Sequence, residues 1–151
     1  MKKLIQLIGS GFGAGYLPWM PGTWGSMVGV GVAYGFSFLP LYLSLISLIA
    51  LIFLSVWVSD IFEMLSSKKD DQTIVIDEIC GMALALLAIP FNLPNVLTAF
   101  LLFRFFDIAK IPPAPWFERR CPGGYGVVLD DLVAGAYTRG CMALLIYTGV
   151  L

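Results

Sequence analysis

The feature that most limits the possible folds of this chain is the run Leu41–Val58, which contains no Asp, Glu, Lys or Arg. A helix needs about 20 consecutive apolar residues to span a bilayer, with a range of roughly 17 to 25, and this run has that length. Only 13% of the residues are charged, whereas soluble domains carry about 25%. A water-soluble globule with so few charges could not cover its own surface. We therefore predict an integral membrane protein built from helices.

Three further apolar stretches accompany this run: Ser26–Leu39, Ile79–Phe103 and Leu132–Leu151. The middle one is interrupted by Pro90 and Pro94, and proline cannot continue the hydrogen-bond ladder of a helix. It is therefore either a single broken span or two short helices that form a hairpin.

The distribution of basic residues favours the hairpin. They form three groups: Lys2 with Lys3, Lys68 with Lys69, and Arg104, Lys110, Arg119 and Arg120. With a hairpin all three groups fall on one side of the membrane, which the positive-inside rule makes cytoplasmic. We predict one all-α domain, residues 1–151, a polytopic bundle of four to five membrane-embedded helices. Its place would be a bacterial-type inner (plasma) membrane, and five helices fit the hairpin best.

The residue types exclude several kinds of chemistry. The chain has no histidine, and its cysteines, Cys80, Cys121 and Cys141, show neither zinc-site spacing nor a disulfide framework. The net charge is −1 and no basic stripe exists, so we expect no nucleic-acid partner. Histidine-dependent chemistry is therefore excluded.

Two apolar stretches are preceded by adjacent acids, Asp77–Glu78 and Asp130–Asp131. Helix capping is the ordinary explanation, because acids stabilise the N-terminal end of a helix. Capping accounts for one acid of each pair, whereas two neighbouring carboxylates call for a counter-charge.

A fifth acid, Asp107, lies between Arg104 and Lys110 in "FRFFDIAK". Spacing by three residues places the three side chains on one helix face, as in a surface ion-pair ladder. Ionisable residues at membrane depth are also candidates for function.

The polar segments 1–25, 59–78 and 104–131 hold every ionisable residue except Arg139. In the hairpin topology they share one face and bring five acids together: Asp77, Glu78, Asp107, Asp130 and Asp131. Oxygen ligands of this kind suit Mg²⁺, which often also binds phosphate oxygens. A cation between Asp130 and Asp131 would relieve their repulsion. From charge and spacing alone, a metal site and simple capping are equally good explanations.

The first polar segment contains "GSGFGAGYLPWMPGTWGS". A glycine-rich loop that enters a helix can offer backbone N–H groups to an anion, and Thr23 and Ser26 add hydroxyls. The Gly-Lys-Ser/Thr ending of a Walker A loop is missing. Gly25/Gly29 and Gly31/Gly35 have GxxxG spacing, which predicts close helix packing.

Four motifs together resemble the phosphatidylglycerophosphatase A family. They are "PGTWGS" (Pro21–Ser26), "DEICGM" (Asp77–Met82), "FRFFDIAK" (with Arg104–Lys110) and "GGYGVVLDDLVAG" (Gly123–Gly135). The resemblance implies a Mg²⁺-dependent membrane enzyme, a phosphoric monoester hydrolase. Its reaction would convert phosphatidylglycerophosphate to phosphatidylglycerol and phosphate. The family usually has Lys-Pro after the Phe-Asp motif, whereas Ile111 follows Lys110 here.

Roles follow for the residues in these motifs. The expected metal ligands are Asp77, Glu78, Asp107, Asp130 and Asp131. The expected catalytic residues are Asp77, Asp107, Lys110, Asp130 and Asp131. The expected substrate-binding residues are Thr23, Trp24, Gly25, Ser26, Arg104 and Lys110. The sequence leaves open whether water attacks phosphorus directly or an aspartate attacks first, and it leaves the oligomeric state open.

Two other functions stay open from the sequence. A small carrier of cations or solutes would place its acids near the bilayer midplane along a path through the membrane. A helical assembly factor would use its acids only as caps. The enzyme reading instead expects the acids at one interface, beside the bilayer that contains the lipid substrate.

Overall fold

The computed structural model describes residues 2–66, 73–121 and 123–151. Within them the chain forms seven α-helices and no strand: α1 (Lys2–Gly9), α2 (Pro21–Ser37), α3 (Leu41–Ser66), α4 (Ile76–Ala85), α5 (Leu93–Ala109), α6 (Ala114–Arg120) and α7 (Gly124–Tyr147). The all-helical prediction is confirmed for this part of the chain. The polar turn "SSKKDDQ", with the predicted basic pair Lys68 and Lys69, lies outside the described residues.

One helix in the described ranges is long and apolar enough to cross a membrane, over Leu41–Phe62 of α3. Helices α2 and α5 have 17 residues each, at the short limit for a span. A bundle of four to five membrane-embedded helices therefore stays a prediction.

The stretch interrupted by proline forms two helices, α4 and α5. After α4 ends, the Asn92 side chain caps α5 by accepting a 2.9 Å hydrogen bond from the Asn95 N–H. The Asn95 side chain donates in turn to the Pro90 carbonyl at 2.8 Å. Asp107 near the end of α5 interacts electrostatically with Asp77 in the first turn of α4. The chain therefore turns back on itself, as in the hairpin alternative.

Helices α4 and α7 touch through their backbones. A Cβ atom added at Gly135 would collide with the Gly81 carbonyl oxygen, and one at Gly81 would lie 2.6 Å from the Asp131 carbonyl oxygen. Each glycine follows an acid by four residues, about one helical turn, since Asp77 precedes Gly81 and Asp131 precedes Gly135. The contact that only glycine permits thus brings the two acids side by side.

Helix α2 packs on α4 through two more glycines. A Cβ at Gly25 would lie 2.7 Å from the Val75 Cβ, and one at Gly29 would lie 2.7 Å from the Met82 Cβ. The packing role predicted for this pair is confirmed. The same prediction is wrong for Gly31 and Gly35 among the described residues, because a Cβ at either would meet nothing within 4 Å.

The start of α7 is fixed by a side chain of α3. The Gly124 N–H donates a 2.6 Å hydrogen bond to Asp60 Oδ1, which satisfies one of the unpaired donors at a helix N-terminus. Gly123 has φ +62°, and a Cβ there would collide with the same oxygen. The local sequence pattern does not predict this cap.

Arg139 of α7 has a backbone partner. Its Nε donates a 2.6 Å hydrogen bond to the Leu87 carbonyl, just beyond the end of α4. Carbonyls at a helix C-terminus lack partners within the helix, so Arg139 stabilises the turn between α4 and α5.

The glycine contact between α4 and α7 makes a prediction about stability. We expect Gly135→Ala to lower the free energy of unfolding by about 1–3 kcal/mol through overpacking, a loss of about 2–4 °C in Tm for each kcal/mol. The measurement is thermal melting of the purified protein in detergent. Gly140→Ala on the same helix is the matched control, because its added Cβ meets nothing within 4 Å. Equal melting of the two variants would contradict the contact.

Candidate active site

Three acids form a compact cluster where α4 and α7 meet. Asp77, Glu78 and Asp131 each offer a carboxylate oxygen, and the three oxygens lie within 4.8 Å of one another. Asp77 and Asp131 are nearly fully buried, at 4% and 5% exposure. The cluster unites the second and third polar segments of the sequence, as predicted.

Among the described residues, the carboxylate oxygens of the cluster outnumber the hydrogen-bond donors directed at them. The Glu78 N–H donates to Asp77 Oδ1 at 3.1 Å. Among the described residues, Glu78 Oε2 and Asp131 Oδ1 are buried without a hydrogen-bond partner. Buried polar atoms are nearly always satisfied, so orphaned atoms such as these call for a ligand.

Burial also disfavours the charged forms of these acids. All three acids lie outside Leu41–Phe62, the part of α3 that is long and apolar enough to cross a membrane. Burial raises the pKa of Glu78 and of Asp131 well above the ordinary values, and neighbouring carboxylates raise both further. Burial raises the pKa of Asp77 too, although hydrogen bonds from Glu78 offset part of the change. A cation at the cluster would reverse this balance, because opposite charge favours ionised carboxylates.

Asp107 lies at the edge of the cluster. Its Oδ2 is 2.5 Å from Arg104 Nη1, and its side chain is 18% exposed. Its carboxyl is also within hydrogen-bonding reach of Asp131, and its charge contributes to the raised pKa of that acid. Asp107 therefore joins the cluster to Arg104.

The N-terminus of α2 reaches the same place. A Cβ at Gly22 would collide with Glu78 Oε1 and would lie 3.1 and 3.3 Å from the Nη atoms of Arg104. The first turn of α2 thus lies against both an acid and a guanidinium. Arg104 Nε is itself buried without a partner among the described atoms.

The residues predicted to bind substrate near this turn have different surroundings. The Ser26 hydroxyl is buried and donates to the Gly22 carbonyl at 2.7 Å, while Gly25 packs on Val75. The Trp24 indole N–H donates to the Pro18 carbonyl at 3.4 Å. Thr23 is half-buried.

Gly22, absent from the predicted set, lies closest to the cluster. The sequence could have pointed to Gly22, because it directly follows Pro21 and proline favours the first position of a helix.

Asp130 has a different partner from Asp131. Its Oδ2 is 3.1 Å from Lys110 Nζ. Lys110 ends α5 in the left-handed region, at φ 46°, and this turn aims its side chain at α7. Neighbouring residues of a helix point about 100° apart, so Asp130 and Asp131 face different surroundings. A place for Asp130 among metal ligands stays a prediction.

The donor set fits a hard divalent cation. Asp77, Glu78 and Asp131 offer only oxygen, with Asp107 beside them, and Mg²⁺ and Ca²⁺ prefer oxygen ligands. Two of the buried oxygens lack hydrogen-bond partners, as a ligand set would without its ion.

Comparisons with known proteins agree with one another. The family profile described as "Phosphatidylglycerophosphatase A" matches residues 7–146. The Escherichia coli (strain K12) protein "Phosphatidylglycerophosphatase A" is 35% identical over 143 residues, covering 94% of this chain and 83% of that protein. The Haemophilus influenzae protein of the same name is 36% identical over 136 residues, covering 88% and 83%.

A third relative has a different name. A Bacteroides thetaiotaomicron protein, provisionally named a phosphatidylinositol-3-phosphatase, is 36% identical over 143 residues, covering 89% of each chain. No solved structure gives a significant match.

The raised carboxyl pKa values predict how stability depends on pH when no cation is bound. The folded protein holds protons at Asp77, Glu78 and Asp131 that the unfolded chain releases near its ordinary pKa. Stability in a chelator should therefore fall as the pH rises above about 4 toward the raised folded-state pKa values. Thermal melting in EDTA between about pH 5 and pH 8 tests this.

Asp131→Asn should flatten this dependence, since it removes one of the three acids. A divalent cation should restore the melting temperature at the upper end of the range. A melting temperature that is independent of pH in EDTA would contradict the arrangement.

Proposed function

The chain belongs to the phosphatidylglycerophosphatase A family, and we propose that it hydrolyses the terminal phosphomonoester of phosphatidylglycerophosphate, with Mg²⁺ as cofactor. The products are phosphatidylglycerol and inorganic phosphate. The observation that carries the proposal is the meeting of buried acids from α4 and α7 with Arg104 and the N-terminus of α2. Phosphoryl transfer depends mainly on positioning and on neutralising charge, and these groups supply both.

The acids hold the cofactor. Asp77, Glu78 and Asp131 provide oxygen ligands within 4.8 Å of one another, and Asp107 lies at hydrogen-bonding distance from Asp131. Bound there, Mg²⁺ would neutralise carboxylate charge and polarise a phosphate oxygen.

The cationic groups receive the phosphate. Arg104 presents its guanidinium beside Gly22 at the start of α2, where backbone N–H groups and the helix dipole attract anions. A guanidinium matches phosphate oxygens in a bidentate geometry. Lys110, whose 42% exposed side chain lies 3.1 Å from Asp130, adds a second positive charge.

Asp107 is the acid that water can reach. Its side chain is 18% exposed, whereas Asp77 and Asp131 are almost fully buried. We assign Asp107 to orient the attacking water and to accept its proton, while Arg104 holds the carboxylate in place. Water adds its oxygen to phosphorus and gives one proton to Asp107, the bond to the glycerol oxygen breaks, and solvent supplies a proton to that oxygen while Asp107 releases its own to solvent.

The membrane arrangement completes the proposal. A multi-pass chain would place the cluster at the cytoplasmic interface, and the acyl chains would stay in the bilayer beside the helices. The acids lie in the first turn of α4, near the end of α5 and about two turns into α7. They gather at one end of the helices, which supports an enzyme over a carrier with a path through the membrane.

Phosphate release from purified protein tests the reaction. In detergent with phosphatidylglycerophosphate, we expect release with Mg²⁺ and loss of release with EDTA. Phosphatidylinositol 3-phosphate in the same assay tests the alternative substrate, and we expect it to be cleaved far more slowly. Absence of release from phosphatidylglycerophosphate with Mg²⁺ present would rule out this substrate.

Two aspartate variants separate cation binding from proton transfer. Asp107→Asn should lower kcat by about 10²–10⁴, the range typical for a general base, and should keep most cation binding. Asp131→Asn should weaken cation binding, measured by electron paramagnetic resonance with Mn²⁺ as the probe.

Glu63→Gln, which removes an acid outside the assigned site, is the matched control for both variants. Melting curves verify that each variant is folded. Normal turnover by Asp107→Asn would remove this residue from the mechanism.

A further inference from the structure

A groove between α6 and α7 lies on the side of α7 away from the acid cluster. Val133 and Tyr137 follow Asp131 by two and six residues. At 3.6 residues per turn they lie about 160° and 120° around the helix from Asp131. Since Asp131 faces α4, the groove has no wall in common with the cluster, and none of its lining residues belongs to the assigned site.

One half of the groove is an apolar slot of about 320 Å³. It is lined by Pro113, Val133, Ala136 and Tyr137. The Tyr137 hydroxyl donates to the Pro112 carbonyl at 2.8 Å, and its ring stacks on Phe106 with centroids 5.5 Å apart. The Tyr137 side chain, which forms one wall of the slot, is therefore held by both its hydroxyl and its ring. The slot presents an apolar surface with a defined shape.

The other half is an open hollow of about 450 Å³ with positive charge. It is lined by Pro112, Pro113, Pro115, Trp116, Arg119 and Arg120. The Arg120 guanidinium lies 5.5 Å from the centre of the Trp116 ring, and both arginines are exposed. Tryptophan is enriched at membrane–water interfaces, and arginine is suited to bind phosphate.

The two halves meet at Pro113, which lines both. A phosphate-binding end that continues into a hydrocarbon-binding slot matches the shape and polarity of a glycerophospholipid. We propose that the groove binds an anionic phospholipid of the bilayer, its phosphate against Arg119 and Arg120 and one acyl chain along Val133 and Ala136. This lipid is distinct from the substrate molecule at the acid cluster.

The charge complementarity favours an anionic lipid over a zwitterionic one. Each Lys or Arg near an anionic membrane surface adds about 1 kcal/mol of attraction, and the hollow has two. A choline head-group would set its own positive charge beside these arginines. Retention should therefore depend on the head-group when the acyl chains are the same.

Native mass spectrometry of the purified full chain in detergent tests the site. The probes are phosphatidylglycerol and phosphatidylcholine with identical acyl chains. We expect about thirtyfold greater retention of phosphatidylglycerol, from two basic residues at about 1 kcal/mol each. Arg119→Ala/Arg120→Ala should remove this preference, and Arg119→Lys/Arg120→Lys should keep most of it.

Lys2→Ala/Lys3→Ala is the matched control, because it removes a basic pair elsewhere and should leave retention unchanged. Ala136→Trp fills the slot without altering charge and should reduce retention of both lipids. Melting curves verify folding, and lipid retention is read without reference to phosphatase activity.

Equal retention of the two lipids by the unmodified protein would overturn the proposal. Retention that survives both the arginine-to-alanine change and Ala136→Trp would overturn it as well. Capture of a protein by this face in place of lipid would do the same.

Discussion

The backbone contact between α4 and α7 determines where the acid cluster of this protein lies. Gly81 and Gly135 let the helices approach until added side-chain atoms would overlap the opposite backbone. Since each glycine lies one turn beyond an acid, the same contact that packs the helices also assembles Asp77 and Asp131. A bulkier residue at either position would separate the helices, and with them the carboxylates. The same two glycines therefore determine both how closely the helices pack and where the two acids lie.

This contact has an electrostatic cost, which the surrounding elements reduce. Among the described residues, Glu78 and Asp131 keep buried oxygens without hydrogen-bond partners, so hydrogen bonds leave part of this cost uncompensated. Helix α2 places its positive N-terminal end at Glu78, and Arg104 pairs with Asp107. Both contributions come from outside α4 and α7, which is why four helix ends converge here. The bound cation proposed above would supply the remaining positive charge.

The sequence was informative where local pattern decides the structure. The apolar runs predicted helices, the prolines at 90 and 94 predicted the break before α5, and Asp77 with Glu78 marked the start of α4. Asp130 and Asp131 do not cap α7, because that helix already begins at Gly124. It was uninformative where a contact joins distant segments. Nothing near Asp60 in sequence shows that it caps α7, and Gly31 and Gly35 have the same spacing as Gly25 and Gly29 without their neighbour. Glycine spacing permits close packing, whereas a partner helix determines whether it occurs.

The adjacent acids Asp130 and Asp131 are another case in which the local sequence does not show which partner each side chain meets. Helix geometry separates their two carboxylates. Side by side in sequence, their carboxylates repel, and a shared cation is one way to relieve the repulsion. On a helix, however, successive side chains point about 100° apart. Asp131 faces α4 and the buried cluster, while Asp130 lies 3.1 Å from Lys110. The two acids thus have different neighbours, and because Lys110 ends α5, the Lys110–Asp130 pair also ties that helix to α7.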